Sequence, residues 1–195
     1  GDVCQTPLGE NPLDKEAAAE LIAASARIAY DYSAHSRSDP RMGPEHSAAN
    51  QVPFVQAALP GVKLVIGLIG DHDPATIRDL VAGLNALAKK KRILVVASSD
   101  MLHDPNYDLV TRVDKATLEK VKSIDYRGIL KSWDYSSQVF CGIGPVLAVM
   151  QFAEAQGCRQ GTILQYRNTG DDFPESRGQW VVGYGAAAFV VAGGN

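Results

Sequence analysis

The run Ile93-Leu-Val-Val-Ala97 constrains the fold of this 195-residue chain most. It is uninterrupted and apolar, and it stops at Ser98-Ser99-Asp100, with His103 three residues on. A short apolar run bounded by polar residues is the pattern of a strand buried on both faces. Such a strand needs cover on each side, which points to an α/β fold. In open α/β sheets, ligands bind just beyond the carboxyl ends of the strands. Asp100 and His103 are therefore expected at a ligand-binding edge.

The rest of the chain alternates strand-like and helix-like segments. Val3 to Thr6 reads as a short strand ended by the turn Thr6-Pro-Leu-Gly9. Asp14 is placed to cap a helix over 15–30, where Ala18, Leu21, Ile22, Ser25 and Ile28 fall at helical spacing. The polar stretch 32–44 reads as a loop. The segment up to Leu59 reads as a helix that starts near Asn50 or bends at Pro53. Val62 to Ile69 reads as a second buried strand. Asp73-Pro74 marks a helix start, and Lys89-Lys-Lys-Arg92 its cationic end near Ala88. Helices are predicted over 114–124, 126–133 and 146–155. Strands are predicted over 162–166 and 180–192, the last one central, with a polar loop over 168–178. The pattern predicts a single domain, 1–195, built as a three-layer α/β/α sandwich with a central mixed sheet.

Composition removes several function classes. A net charge of −3 argues against nucleic acid or an anionic membrane surface as partner. No apolar run has the length needed to cross a bilayer. Cys4, Cys141 and Cys158 are odd in number and lack C-x-x-C spacing, which suits free thiols in a reducing compartment. With no signal-peptide core in the opening residues, a cytoplasmic protein is expected.

Three stretches carry candidate chemistry. In Asp100-Met-Leu-His103 a carboxylate can orient an imidazole, or both can act on a ligand; a helix cap with a surface histidine fits the same residues. Glu45-His46-Ser47 sets an acid and a histidine at a helix mouth, as pocket lining or as a solvated helix start. Cys141-Gly-Ile-Gly-Pro145 places a thiol at a glycine-rich turn before a helix, where a thiolate is favoured and metals are bound; a buried small hydrophobe is the plainer reading. Asp71-His72-Asp73 is metal-like in composition, but Asp73 is explained by capping. Ser98-Ser99 lacks the G-x-S-x-G frame, and no dinucleotide or P-loop fingerprint is present.

Five motifs in order, Thr6-Pro-Leu-Gly9, Glu45-His-Ser47 with Pro53-Phe54, Ser98-Ser-Asp100 with His103, Cys141-Gly142 with Pro145, and Val182-Gly-Tyr-Gly-Ala186, resemble the Memo-like family, also called AmmeMemoRadiSam system protein B. That family is similar in fold to class III extradiol dioxygenases, which are non-haem iron enzymes. The resemblance implies a pocket in which two histidines and the cysteine of the C-G motif, here Cys141, hold an iron or copper ion. It implies that His103 acts as a general acid/base with Asp100 beside it. The family's two histidine ligands lie upstream of T-P-L-G, so the expectation is that this chain lacks the family's N-terminal portion and that its metal site is incomplete. Ala49 stands where the family often has glutamate.

Three functions follow as expectations. The first is a metal-capable, dioxygenase-like oxidoreductase with Asp100, His103, Glu45, His46 and Cys141 around one pocket. The second is a binding or scaffold module of the same fold, taking a small-molecule or peptide ligand. The third is a thiol enzyme using Cys141 with His103 or His46 as base. An exposed apolar sheet edge is also expected, open to association with another chain.

Overall fold

The structure, a computed structural model, describes residues 2–31, 38–39, 43–44, 46–70, 72–134 and 138–191. The fold is mixed α/β. In chain order the elements are β1 (Val3–Thr6), β2 (Gly9–Pro12), α1 (Lys15–Ala24), β3 (Ser38–Asp39), β4 (Gly43–Pro44), α2 (Val52–Ala58), α3 (Pro74–Ala88), β5 (His103–Asp104), α4 (Tyr107–Lys122), α5 (Tyr126–Ser132), α6 (Ile143–Ala155), β6 (Gly161–Asn168), α7 (Thr169–Asp172) and β7 (Val181–Phe189). They fall into two compact units, Gly1–Leu94 and Val95–Asn195.

In the first unit, β1 and β2 form an antiparallel hairpin across the Thr6-Pro-Leu-Gly9 turn. Gly9 has φ +116°, a conformation that side chains with a Cβ rarely adopt. Asp14 caps α1, accepting from the Ala17 N–H at 3.0 Å. This helix ends at Ala24, short of the predicted residue 30. Asp73 caps α3 through the Ala75 N–H at 2.8 Å, with Pro74 in the first turn. α1 and α3 pack on each other through Ala17, Leu21, Ile77, Val81, Leu84 and Leu87, all buried. Gly83 permits this approach, since a Cβ there would sit 3.2 Å from the Leu21 side chain. α2 begins at Val52 with Pro53 in its first turn, so the proline starts the helix rather than bending it.

The second unit is organised around the sheet β5-β7-β6, which is antiparallel throughout. β7 lies in the middle, as its run of small residues predicted. α4 packs across β6 and β7. Gly185 allows the contact, because a Cβ there would press on the Leu118 and Met101 side chains at 2.9 and 3.1 Å. Met101, Val110, Ile129, Ile143, Met150 and Val181 fill the core.

Two expected strands are corrected. Val62 to Ile69 pairs only through an isolated parallel bridge between Leu64 and Leu13. Ile93 to Ala97 pairs with nothing among the described residues. It keeps a strand's alternation, with Leu94 and Val96 strongly exposed. A run of apolar residues supplies propensity, but a strand exists only where a second backbone takes up its N–H and C=O groups. α4 and α6 start earlier than predicted, at Tyr107 and Ile143. The predicted loop over 168–178 contains α7 and a 3₁₀ turn at Pro174–Ser176.

Candidate functional site

The segment 98–103, which follows the apolar run, is held from three sides of the second unit. Its backbone joins β7: the Met101 N–H donates to the Gly183 carbonyl at 2.9 Å, and the Gly183 N–H to the Leu102 carbonyl at 3.1 Å. His103 then enters β5, opposite Val182. The turn before α6 clasps it from another side. The Cys141 N–H donates to the Asp100 carbonyl at 3.2 Å, and the Gly142 N–H to Ser99 Oγ at 2.8 Å. Ser99 Oγ in turn donates to the Asp100 carbonyl at 2.7 Å. Ser99 is thus a brace rather than a nucleophile. Gly142 fits because a Cβ there would meet Ser99 Oγ at 3.3 Å. The third hold comes from α4, where Asp114 accepts from the Leu102 N–H at 3.2 Å.

These holds bring Asp100, His103 and Cys141 together. His103 Nε2 lies 3.0 Å from Asp100 Oδ2, with both side chains about one-third exposed. The approach is close but off the line of a well-aligned hydrogen bond; acid/base contacts are often loose before a ligand arrives. Trp180 meets the His103 ring edge to face, with centroids 5.8 Å apart. Cys141 is exposed and its side chain hydrogen-bonds Asp100.

Electrostatics reinforce the pair. Burial pushes Asp100 up, but the hydrogen bond and charge of His103, with Cys141, outweigh it and hold the carboxyl below its ordinary value. His103 is raised above 6.5, first by its hydrogen bond to Asp100, against partial burial, and further by the charges of Asp100 and Asp114. The imidazolium form therefore persists to higher pH than in a free histidine. Tyr184, on β7, is raised by burial and by the Asp100 charge.

The remaining expected residues fall in the first unit. Glu45 lies outside the described residues. His46 is exposed in the first unit. Asp71, already discounted, is also outside the described residues. Among the described residues, no three His, Cys, Asp or Glu side chains group to hold a metal ion.

Sequence reasoning missed the roles of Ser99, Asp114 and Trp180. Tyr184 stood in a quoted motif without a role. Asp114 carried no readable signal, because the helix was expected to start there, whereas it lies two turns inside α4.

Comparison with known proteins places this chain in a family. "MEMO1 family protein" of Methanobrevibacter smithii is 31% identical over 186 residues, covering 94% of this chain and 63% of its own. Its counterpart in Sulfurisphaera tokodaii is 31% identical over 189 residues, with 95% and 63% covered. That of Nitrosopumilus maritimus is 29% identical over 187 residues, with 95% and 65% covered. The chain thus spans a little under two thirds of the length of these relatives. No solved structure matches it significantly. The family described as Memo-like protein matches residues 1–188, a span that takes in the Asp100, His103 and Cys141 cluster, and this chain belongs to that family.

Proposed function

We propose that the second unit carries the acid/base side of a ligand pocket in a dioxygenase-like oxidoreductase. The contact that supports this reading is the 3.0 Å approach of His103 to Asp100, beside Cys141. His103 moves a proton to or from a ligand oxygen, such as a catechol-type hydroxyl. Asp100 stabilises the imidazolium formed on uptake and keeps the ring in place. Trp180 and Tyr184 offer aromatic surface beside the pair.

Iron or copper enters this reading through Cys141 as a sulfur donor. The described donors do not by themselves make a metal site, because no three of them group together. The proton chemistry above therefore runs through His103 and Asp100 alone.

The test pairs metal content with activity. Elemental analysis of the chain and of Cys141→Ala after incubation with ferrous or cuprous ion tests whether any metal taken up depends on this thiol. Oxygen uptake with a panel of catechols should fall by roughly 100-fold or more in His103→Asn, the range expected for loss of a general acid/base. Equal uptake in His103→Asn and the parent chain would overturn the assignment. No uptake with any catechol or metal would favour a binding module of the same fold.

A further inference from the structure

Asp114 takes no part in the proton chemistry just described, yet it is fully buried on α4. Both of its oxygens are committed. Oδ1 accepts from the Leu102 N–H at 3.2 Å, and Oδ2 accepts from the Tyr166 hydroxyl at 2.9 Å. The Tyr166 oxygen accepts from Asn168 Nδ2 at 3.3 Å, and the same amide donates to Thr111 Oγ1 at 3.0 Å. The chain of contacts runs from α4 to β6 and back to α4, and through Asp114 it reaches the peptide between Met101 and Leu102. That peptide lies midway between Asp100 and His103.

Space at this point is reserved. A Cβ on Gly183 would collide with Asp114 Oδ2. The residue of β7 that binds the 101–102 backbone is thus also the one whose missing side chain admits the carboxylate. A carboxylic acid buried away from water is costly unless its partners repay it. A cross-brace between a helix and a loop needs only a neutral amide. The charge-capable group is what calls for an explanation.

We propose that Asp114 is a positioning residue for the Asp100–His103 pair: it fixes the Leu102 peptide, one residue before His103, and sets its negative charge there, so that the imidazole keeps its proton and its place. This rests on His103 being the proton-transferring group of the pocket. The groups facing Asp114 are the Leu102 N–H from the loop, His103 from β5, Tyr166 from β6 and, on β7, the bare Gly183. Those facing His103 are Asp100, Asp114 and the uncharged Trp180. Burial pushes Asp114 up to about 6, against the Leu102 N–H, the Tyr166 hydroxyl and the His103 charge, which pull it down. Asp114 thus changes charge below neutral pH, and His103 is the group placed to feel it.

The experiment is an NMR titration of the histidine rings in the 195-residue chain, with His46 and His72 as internal references. Asp114→Asn keeps an acceptor for Leu102 but removes the charge. In it, the His103 transition should move to lower pH by more than any change at His46 or His72. Tyr166→Phe, which removes a donor to Asp114 and leaves its carboxylate less stabilised, should move His103 the same way by less. An unmoved His103 transition in a folded Asp114→Asn protein would overturn the proposal and leave Asp114 a structural brace. The titration reads no activity, so it is separate from the catechol assay: a protein that oxidises nothing can still show His103 following Asp114, and the reverse result is equally readable.

Discussion

The two units differ in the polar groups they bury. In the first, ion pairs sit at the surface: Lys90 to Glu20 at 2.6 Å, Lys91 to Asp14 at 2.9 Å and Arg27 to Asp73 at 3.4 Å. Among its described residues the buried polar side chain is Asn11, whose amide donates to the Val62 carbonyl at 2.9 Å. In the second unit, Asp114, Thr117 and Asn168 are buried, and Asp114 and Asn168 are linked through Tyr166. Surface pairs are screened and contribute little, whereas buried polar groups are costly unless every partner is present. The first unit is held by its apolar helix pair and its caps. The second spends stability on holding one loop in place.

The largest effect expected from this contrast lies in the pH dependence of stability. Asp114 is raised from 3.8 to about 6, so the folded state holds its proton more tightly than the unfolded chain does. Its contribution is complete below 3.8 and is lost as pH rises through about 6, a change of about 3 kcal/mol. Denaturant unfolding of the parent chain relative to Asp114→Asn, between pH 4 and 7, should show that loss; parallel curves would refute it. His103 acts in the same sense, since its raised value makes its contribution complete below 6.5 and lost as pH rises through the folded value. Asp100 acts oppositely: its contribution is present above 3.8 and lost as pH falls through its lowered value.

Next in size is Gly183→Ala. The new methyl group would meet Asp114, and the cost should be roughly 1–3 kcal/mol, with the 101–102 backbone displaced. Full recovery in the double variant with Asp114→Ala would locate the clash. In the first unit, Asp73→Ala removes the α3 cap and should cost about 1 kcal/mol without altering the His103 titration. Lys90→Ala, which breaks an exposed pair, should change stability by about 0.5 kcal/mol or less. A larger loss there than at Asp73 would break the contrast between the units. Thiol labelling gives the smallest test: exposed Cys141 should react well before buried Cys158 under native conditions.

How much of this was legible depended on whether a signal was local. The Asp14 and Asp73 caps, the turn at Gly9 and the Asp100–His103 spacing were readable, because each depends on a few consecutive residues and on backbone geometry. The start of α4 was not. Asn106 caps it through the Leu109 N–H at 3.0 Å, but Pro105-Asn106 reads equally well as a turn. The strand at 93–97 was read from propensity, and pairing is not a property of a single segment.

The sequence by itself determined the helix caps, the tight turns, the small-residue strand β7 and the placing of an acid and a histidine just past an apolar run. These follow from side chains acting on their own backbone within a turn or two. Tertiary structure alone decided that Cys141 docks on Asp100, that Gly183 yields its space to Asp114, and that a mid-helix aspartate reaches a loop whose peptide it holds. Those contacts join residues 12 to 69 positions apart, and only the packing of α4 on β7 and the docking of the turn before α6 bring them together.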